Sequence, residues 1–347
     1  MNVEILEKQR CFLKERFAGK TVLIAGATGL IGSRIAYYIM NLNKNYSANI
    51  KLYLLYRNSD KCKIVYPDYP NYQNVIFETY ENIEKINCKI DFIFHCAGIS
   101  GGTKMHLKDP MAVFETAYQL TKKLLDTAVR TQCGGFLFVS TYEVYGNINS
   151  EMPISEKNVC NLDTMNLRNI YAECKRMSEA MCVAYASMHS IKVCCGRLTS
   201  TFGDGVDYSD PRFFAEFARC IIEQRDIVLK STGMTVRSYL DSDDAATAFM
   251  YIASDGENKS VYNVTNMENK VSIRTMAERM LEISGSESKL RFDIAEDVEK
   301  LGFRTESCTL MDATKLYDLG WEPAYSLDDT LAKLLNSMEK NKCQNDV

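Results

Sequence analysis

The stretch Tyr171-Ala-Glu-Cys-Lys175 sets a phenol and an ammonium one helical turn apart, so both project from one face of a helix. A free phenol ionises near pH ~10, and a neighbouring cation favours its anion. Tyr171 is therefore a candidate base for a hydroxyl proton, with Lys175 lowering its pKa. Upstream lies Ser140-Thr141-Tyr142-Glu143-Val-Tyr-Gly146. Thr141 ends an apolar run, where its hydroxyl can hydrogen-bond a reacting oxygen. Alternation along an extended chain places Glu143 on the same side as Thr141. A simple alcohol oxidation needs no second base. Chemistry beside a new ketone does, because the ketone acidifies the adjacent C–H. Near the start, Gly26-Ala-Thr28-Gly29-Leu30-Ile31-Gly32 comes after an apolar run and opens an amphipathic one. In that context glycines permit a tight turn and close backbone approach, and a helix N-terminus offers free N–H groups to a pyrophosphate. Taken in order, the three motifs describe one redox site. A dinucleotide, NAD or NADP, sits on the turn, Tyr171 and Lys175 move a proton, and Thr141 and Glu143 handle the rest of the substrate.

The choice between the two dinucleotides rests on the residues just past the second strand. An acid there binds the ribose 2′-hydroxyl. Here Tyr56-Arg57-Asn58 stands in that place and Asp60 comes later, so Arg57 leans towards the 2′-phosphate of NADP. Arg212 and Arg237 are candidate clamps for a diphosphate or a carboxylate, since a guanidinium grips either bidentately; a surface ion pair is the alternative for each. His95, in His95-Cys-Ala97-Gly98, reads as a structural residue near the cofactor.

These residues need a scaffold that brings strand ends together. Apolar runs predict strands at Thr21–Ala25, Ile50–Tyr56, Val75–Thr79, Asp91–His95, Gly135–Ser140 and Lys192–Arg197. Helical spacing predicts helices at 2–17, from Leu30 to Met40, at Met111–Thr131 and at 170–189. Such alternation means an α/β fold, a doubly wound parallel sheet with chemistry at the carboxyl ends of its strands. Beyond residue 200 the pattern loosens. A helix runs to Ile222, short extended pieces fall at Asp226–Leu229 and Val236–Leu240, and a last helix spans 327–339 before a frayed polar tail, Lys340–Val347. The division expected is a Rossmann-type dinucleotide-binding domain over 1–198, joined again by segments near 236–265, with 199–340 forming mainly a smaller substrate-binding domain.

Bulk composition narrows the classes further. The 347 residues are 46% hydrophobic and 25% charged with a formal net charge of −4, which speaks against a nucleic-acid footprint. The thirteen cysteines include no C-x-x-C pair and there are three histidines, so no metal site is expected. No apolar run approaches a membrane span and the first residues are charged, so a cytoplasmic protein with reduced thiols is expected.

The same motifs resemble the extended short-chain dehydrogenase/reductases, in particular the NAD(P)-dependent nucleotide-sugar epimerase/dehydratase/decarboxylase group. The resemblance runs from Thr21 to about Leu335. Arg168-x-x-Tyr171-x-Glu-x-Lys175-Arg176, Thr201-Phe-Gly203, Asp210-x-Arg212 and Arg237-Ser-Tyr are most similar to UDP-glucuronate decarboxylases, while Thr-x-Glu is also the pattern of hexose 4,6-dehydratases. The resemblance implies Ala97 and Gly98 beside the cofactor, Tyr142, Ser200, Arg212 and Arg237 on the substrate, and a homodimer through the helices near 111–131 and 170–189. It implies oxidation at the sugar C4, then decarboxylation of a hexuronate or 4,6-dehydration of a hexose. A 4-epimerase and an NADPH-dependent keto-sugar reductase are the alternatives. The chain departs from the pattern at Tyr142 where Ser or Asp is usual, at Ser200 in place of an Asn, at Ala117 in place of another Asn, and in the missing acid after the second strand.

Overall fold

The computed structural model describes residues 1–98, 109–146, 150–158, 161–294 and 307–345. Seven strands form its main sheet: β1 (Thr21–Ala25), β2 (Lys51–Tyr56), β3 (Val75–Thr79), β4 (Phe92–His95), β5 (Gly135–Thr141), β7 (Val193–Leu198) and β11 (Ser260–Val264). Their order is β11-β7-β5-β4-β1-β2-β3 and every pairing is parallel. The central strands, buried on both faces, read as apolar runs, and the bounds expected for the first six agree to within about a residue, while β11 was not expected as a strand. One face is covered by α1 (Val3–Phe17), α2 (Leu30–Tyr46) and α7 (Ser242–Asp255), the other by α4 (Pro110–Arg130) and α5 (Ile170–Met188). A short helix α3 (Ser59–Val65) comes after β2. The chain winds outward from β1 through β2 to β3, then returns to β1's other side as β4. The carboxyl ends of β1 and β4 thus flank the switch point, where such sheets leave a crevice for a ligand.

A smaller mixed sheet is built from later segments. β8 (Ser200–Phe202) and β12 (Lys270–Ser272) pair with β10 (Val236–Asp241), which also pairs with β14 (Cys308–Met311), and β14 with β6 (Ser150–Ile154). Its apolar core includes Phe202, Phe214, Tyr239, Met276, Met280 and Leu331. These come from the sheet and from α6 (Phe213–Ile222), α8 (Ile273–Ser284) and α10 (Leu327–Asn345). A two-stranded piece, β9 (Ile227–Leu229) with β13 (Leu290–Phe292), and a single turn, α9 (Thr314–Tyr317), complete this half.

The structure corrects two expectations. The tail expected to fray from Lys340 is helical to Asn345; only the last two residues lie outside the described ones. The loose pattern beyond residue 200 conceals two regular helices. Nearly every residue of α7 is buried, so it shows no polar stripe to mark it as a helix. α8 does carry a signal: Ser272 caps it by accepting from the Thr275 N–H, and Met276, Ala277 and Met280 form its buried stripe.

Candidate active site

The glycine turn is shaped by backbone contact. Gly26 has φ +82, a region open to glycine, and a Cβ there would stand 2.7 Å from the Ala97 nitrogen. A Cβ on Gly32 would stand 2.2 Å from the Gly26 carbonyl oxygen. β1, the segment after β4 and the first turn of α2 therefore close on one another only through glycine. Gly29 is the N-cap of α2 and, among the described residues, no side chain caps that end. The first-turn N–H groups, at Leu30, Ile31 and Gly32, are left for an anion. A cleft of about 1090 Å³ opens beside Thr28, Gly29 and Leu30, with Asn58, Asp60 and Arg212 also on its walls. A cradle that side chains would fill, an uncapped helix N-terminus and a cleft fit a dinucleotide diphosphate. Arg57 is exposed at the end of β2. It lies near Tyr80, whose phenol accepts the Gly26 N–H at 2.7 Å. Asp60 is exposed and paired with Lys63 at 2.8 Å.

Beside the end of β4, His95, Ala97 and Gly98 share a small pocket with Ala117, Tyr171 and Lys175. His95 Nε2 is 3.0 Å from the Thr121 hydroxyl, and full burial pushes its pKa down to about 3. It is a neutral structural ring, as its sequence context suggested. Lys175 donates to the Val139 carbonyl at 2.8 Å and lies over the Phe138 ring. Burial pushes its pKa down to about 8.

Tyr171 and Lys175 do share one face of α5, with the ammonium over the phenol ring. The ammonium is 5.8 Å from the phenol ring centre and is engaged by the Val139 carbonyl. Burial, then the negative charge of Glu143, hold the Tyr171 pKa well above the usual tyrosine range. Arg212 and a hydrogen bond with the Thr141 hydroxyl pull it the other way. Glu143 does come close enough for its charge to act on Tyr171, but not through strand alternation. Tyr142–Tyr145 is a turn of 3-10 helix, capped by the Thr141 hydroxyl, which accepts the Glu143 N–H at 3.3 Å. The strand ends at Thr141 and the tighter turn redirects the chain beyond it.

The smaller sheet brings the remaining groups. Arg237, on β10, donates from Nη1 to the Tyr142 phenol oxygen at 2.8 Å. It is held charged by Tyr142 first, against the cost of burial, with Tyr239 and Glu143 contributing. Its Nε is buried with no partner among the described residues. Arg212 is paired with Asp210 at 2.6 Å yet close enough to act on Tyr171. Ser200 sits on β8 in register with Tyr239 of β10. Thr141, Tyr142, Glu143, Tyr171, Arg212 and Arg237 thus converge at the strand ends, with Lys175 behind Tyr171.

Sequence reasoning passes over the groups that hold this arrangement. Glu179 receives two bonds from Arg197, at 3.1 and 2.8 Å, and one from the Ser140 hydroxyl at 2.6 Å. That fixes the residue before Thr141. Arg34, two residues past Gly32, bonds Asp204 and Asp243 at 2.7 and 2.6 Å. It ties α2 to the loop that leads to Arg212. Glu179 stands one helical turn past Lys175 and Arg197 ends an expected strand, but nothing in spacing says that the two will meet. Among the described residues no group of His, Cys, Asp and Glu is placed to hold a metal, and no helix is long and apolar enough to cross a membrane.

A model of the NAD dependent epimerase/dehydratase family matches residues 22–265, and the chain belongs to that family. It is a nicotinamide-dependent enzyme of the class that modifies nucleotide sugars. The low-salt glycan biosynthesis protein Agl12 of Haloferax volcanii is 25% identical over 318 residues, covering 89% of this chain and 96% of its own. The dTDP-D-glucose 4,6-dehydratase of Bos taurus is 24% identical over 341 residues, covering 93% and 89%. UDP-glucuronic acid decarboxylase 1 of Xenopus tropicalis is 23% identical over 333 residues, covering 95% and 74%. Among solved structures, the UDP-glucose 4-epimerase of Thermotoga maritima with UDP-glucose superposes with a TM-score of 0.76 at 18% identity, over 93% of this chain and 99% of that one. The UDP-glucuronic acid 4-epimerase of Bacillus cereus with NAD gives 0.74 at 20% identity, over 92% and 99%. These two show the shared fold.

Proposed function

We propose that the enzyme oxidises the C4 hydroxyl of a nucleotide-diphosphate sugar and then works at C5 and C6, by 4,6-dehydration of a hexose or decarboxylation of a hexuronate. The observation that carries this is the Glu143 carboxylate on the turn after Thr141, within reach of Tyr171 by its charge. Oxidation alone needs one proton acceptor; the site holds two. When bound, the nicotinamide supplies a hydride acceptor for C4 and a positive charge that favours the Tyr171 phenolate. The residues do the rest. The turn from Gly26 to Gly32 and the first N–H groups of α2 hold the dinucleotide, with Ala97 and Gly98 bordering it. Lys175 fixes the ribose end from behind Tyr171, and Thr141 orients the C4 oxygen. Tyr171 takes the C4 hydroxyl proton, giving it back where the C4 ketone is reduced again after decarboxylation and releasing it to solvent where dehydration leaves a 4-ketone. Glu143 takes the C5 proton. Arg237 and Arg212 hold the anionic part of the substrate, with Tyr142 and Ser200 along the sugar.

Arg57, exposed after β2, supports NADP over NAD, and titration with each dinucleotide decides it. The described cysteines are all free, which supports a reducing, cytoplasmic setting. Tyr118 and Val183, exposed on α4 and α5, support a homodimer across those helices, to be read by light scattering.

The test is mass spectrometry of UDP-glucuronate, UDP-glucose and dTDP-glucose incubated with the enzyme in heavy water. Loss of water or carbon dioxide with one deuterium retained is expected. An isomer of unchanged mass and no deuterium means a 4-epimerase and ends the reading.

A further inference from the structure

We propose that Arg34 sets how tightly the dinucleotide is held without touching it, by cancelling the charge of Asp204 beside the turn that takes the diphosphate. This rests on the dinucleotide lying on the turn from Gly26 to Gly32.

The cleft beside that turn is rich in acid for a site that takes a diphosphate. Asp60, Asp204, Asp207, Asp210, Asp243 and Asp244 all stand on its walls. Like charges repel, and a protein wall of low dielectric strengthens the effect. Most of these acids are answered by groups other than Arg34. Asp60 pairs with Lys63 at 2.8 Å and Asp210 with Arg212 at 2.6 Å. Asp207 accepts the Ser209 N–H and hydroxyl at 2.9 and 2.7 Å. Asp243 has Lys333 at 2.6 Å as well as Arg34. Asp244 accepts the Ala324 and Tyr325 N–H groups at 2.8 and 3.1 Å, and burial pushes its pKa up to about 8. Asp204 is different: among the described residues its one ion-pair partner is Arg34, at 2.7 Å.

Asp204 also stands where its charge matters to an anion on the turn. It precedes Gly205, and a Cβ on Gly205 would stand 3.5 Å from Leu30 Cδ1 and 3.4 Å from Arg34 Cδ. The loop therefore lies against the first turn of α2, whose N–H groups are left for the diphosphate. The Ser242 hydroxyl donates to the Asp204 carbonyl at 2.8 Å, and the Ser337 hydroxyl accepts the Gly205 N–H at 3.2 Å. These bonds hold the loop there whether or not Arg34 is present. The Asp204 side chain is 44% exposed, open to the cleft, while that of Arg34 is 17% exposed. Arg34 follows Leu30 by one helical turn. Burial works against its charge, but Asp243 and then Asp204 outweigh that cost and keep it ionised. With Arg34 removed, Asp243 keeps Lys333 and Asp204 faces the cleft uncompensated.

The experiment compares the intact enzyme with Arg34→Met, Asp204→Asn and the double variant. Calorimetric titration reads ADP, NAD and NADP, and saturation-transfer NMR reads adenosine, which lacks the diphosphate. Arg34→Met is expected to weaken the three diphosphates about 10-fold at low salt and to leave adenosine within about twofold. The deficit is expected to shrink in about 1 M salt, which screens charges beyond roughly 3 Å. Asp204→Asn alone is expected to bind the diphosphates at least as tightly as the intact enzyme. The double variant is expected to recover to within about threefold of it. Equal losses for adenosine and the diphosphates in Arg34→Met overturn the proposal, since the residue then only supports the fold. A double variant no tighter than Arg34→Met overturns it too, since the guanidinium then holds the phosphate itself. Weaker diphosphate binding by Asp204→Asn overturns it independently. That variant leaves Arg34 on Asp243 and the loop on Ser242 and Ser337, so it is available even where Arg34→Met does not fold. An intact enzyme that binds none of the diphosphates removes the reading beneath the proposal, whatever the variants do.

Discussion

An alanine at position 32 tests whether the glycine turn is closed by contact as the structure describes. Its Cβ would lie 2.2 Å from the Gly26 carbonyl oxygen and 2.8 Å from the carbonyl carbon. That is more than about 1 Å short of an ordinary contact. Neither atom belongs to a side chain that can rotate away. The turn is also pinned: the Gly26 N–H is held by the Tyr80 phenol at 2.7 Å and the Ala27 N–H by the Leu55 carbonyl at 3.3 Å. So α2 must move off the sheet. Overpacking of this kind costs roughly 1–3 kcal/mol. For a chain of this length that lowers Tm by about 1–4 °C. The same shift withdraws the helix N-terminus from the pyrophosphate. Losing one charge-assisted hydrogen bond, worth roughly 1.5–3 kcal/mol, weakens binding by about 10- to 100-fold. The control is Gly29→Ala, with an ordinary φ of −88 and a nearest contact of 3.3 Å. It asks for a shift of only a few tenths of an ångström, so it should lower Tm less than Gly32→Ala does. Calorimetric titration with each dinucleotide and a thermal melt read both quantities. A Gly32→Ala enzyme with the Tm and Kd of the unmodified protein refutes the packing argument.

The buried charges have consequences of their own. Burial holds the Lys175 pKa at about 8, below the roughly 10.4 of an unfolded chain. The unfolded chain therefore binds the proton more tightly, and the folded state carries a penalty below pH 8 that fades as pH rises towards about 10.5. Lys175→Met should abolish activity yet raise stability at pH ~7 by roughly 1–3 kcal/mol, with the gain gone near pH ~10.5; equal denaturation midpoints at neutral pH refute this. His95, with its pKa pushed to about 3, acts on the acid side. The unfolded ring protonates below about 6.5 and the folded one does not, so stability falls by up to about 1.4 kcal/mol per pH unit below that point. His95→Gln should flatten that limb in urea titrations at several pH values. Glu179→Gln strips the charge that holds Arg197 and Ser140, both sides of the pair being about 15% exposed. It should cost about 2–4 kcal/mol, and a Glu179→Met, Arg197→Met double variant should recover part of that in chemical denaturation. A single variant as stable as the unmodified protein shows that the pair is solvated.

What the sequence determined by itself is whatever depends on neighbours along the chain. A strand covered on both faces is an apolar run, so β1 was readable residue by residue. A turn closed by backbone contact must be glycine, so Gly26 and Gly32 announced themselves. A residue one helical turn from another shares its face, so Tyr171 and Lys175 were paired at sight. Each of these constraints acts within a few residues. What only the tertiary structure decided depends on approach from afar. The Lys175 ammonium is hydrogen-bonded to the Val139 carbonyl, and the charges of Glu143 and Arg212 reach Tyr171 from other segments. The turn after Thr141 tightens, so Glu143 arrives by a route that strand alternation does not describe. Arg237 crosses from the smaller sheet to Tyr142, 95 residues away along the chain. α7 is hidden from pattern reading because it is covered on all sides. Burial and charge are properties of an assembled site, since the dielectric and the partners that set a pKa exist only once separate segments have packed.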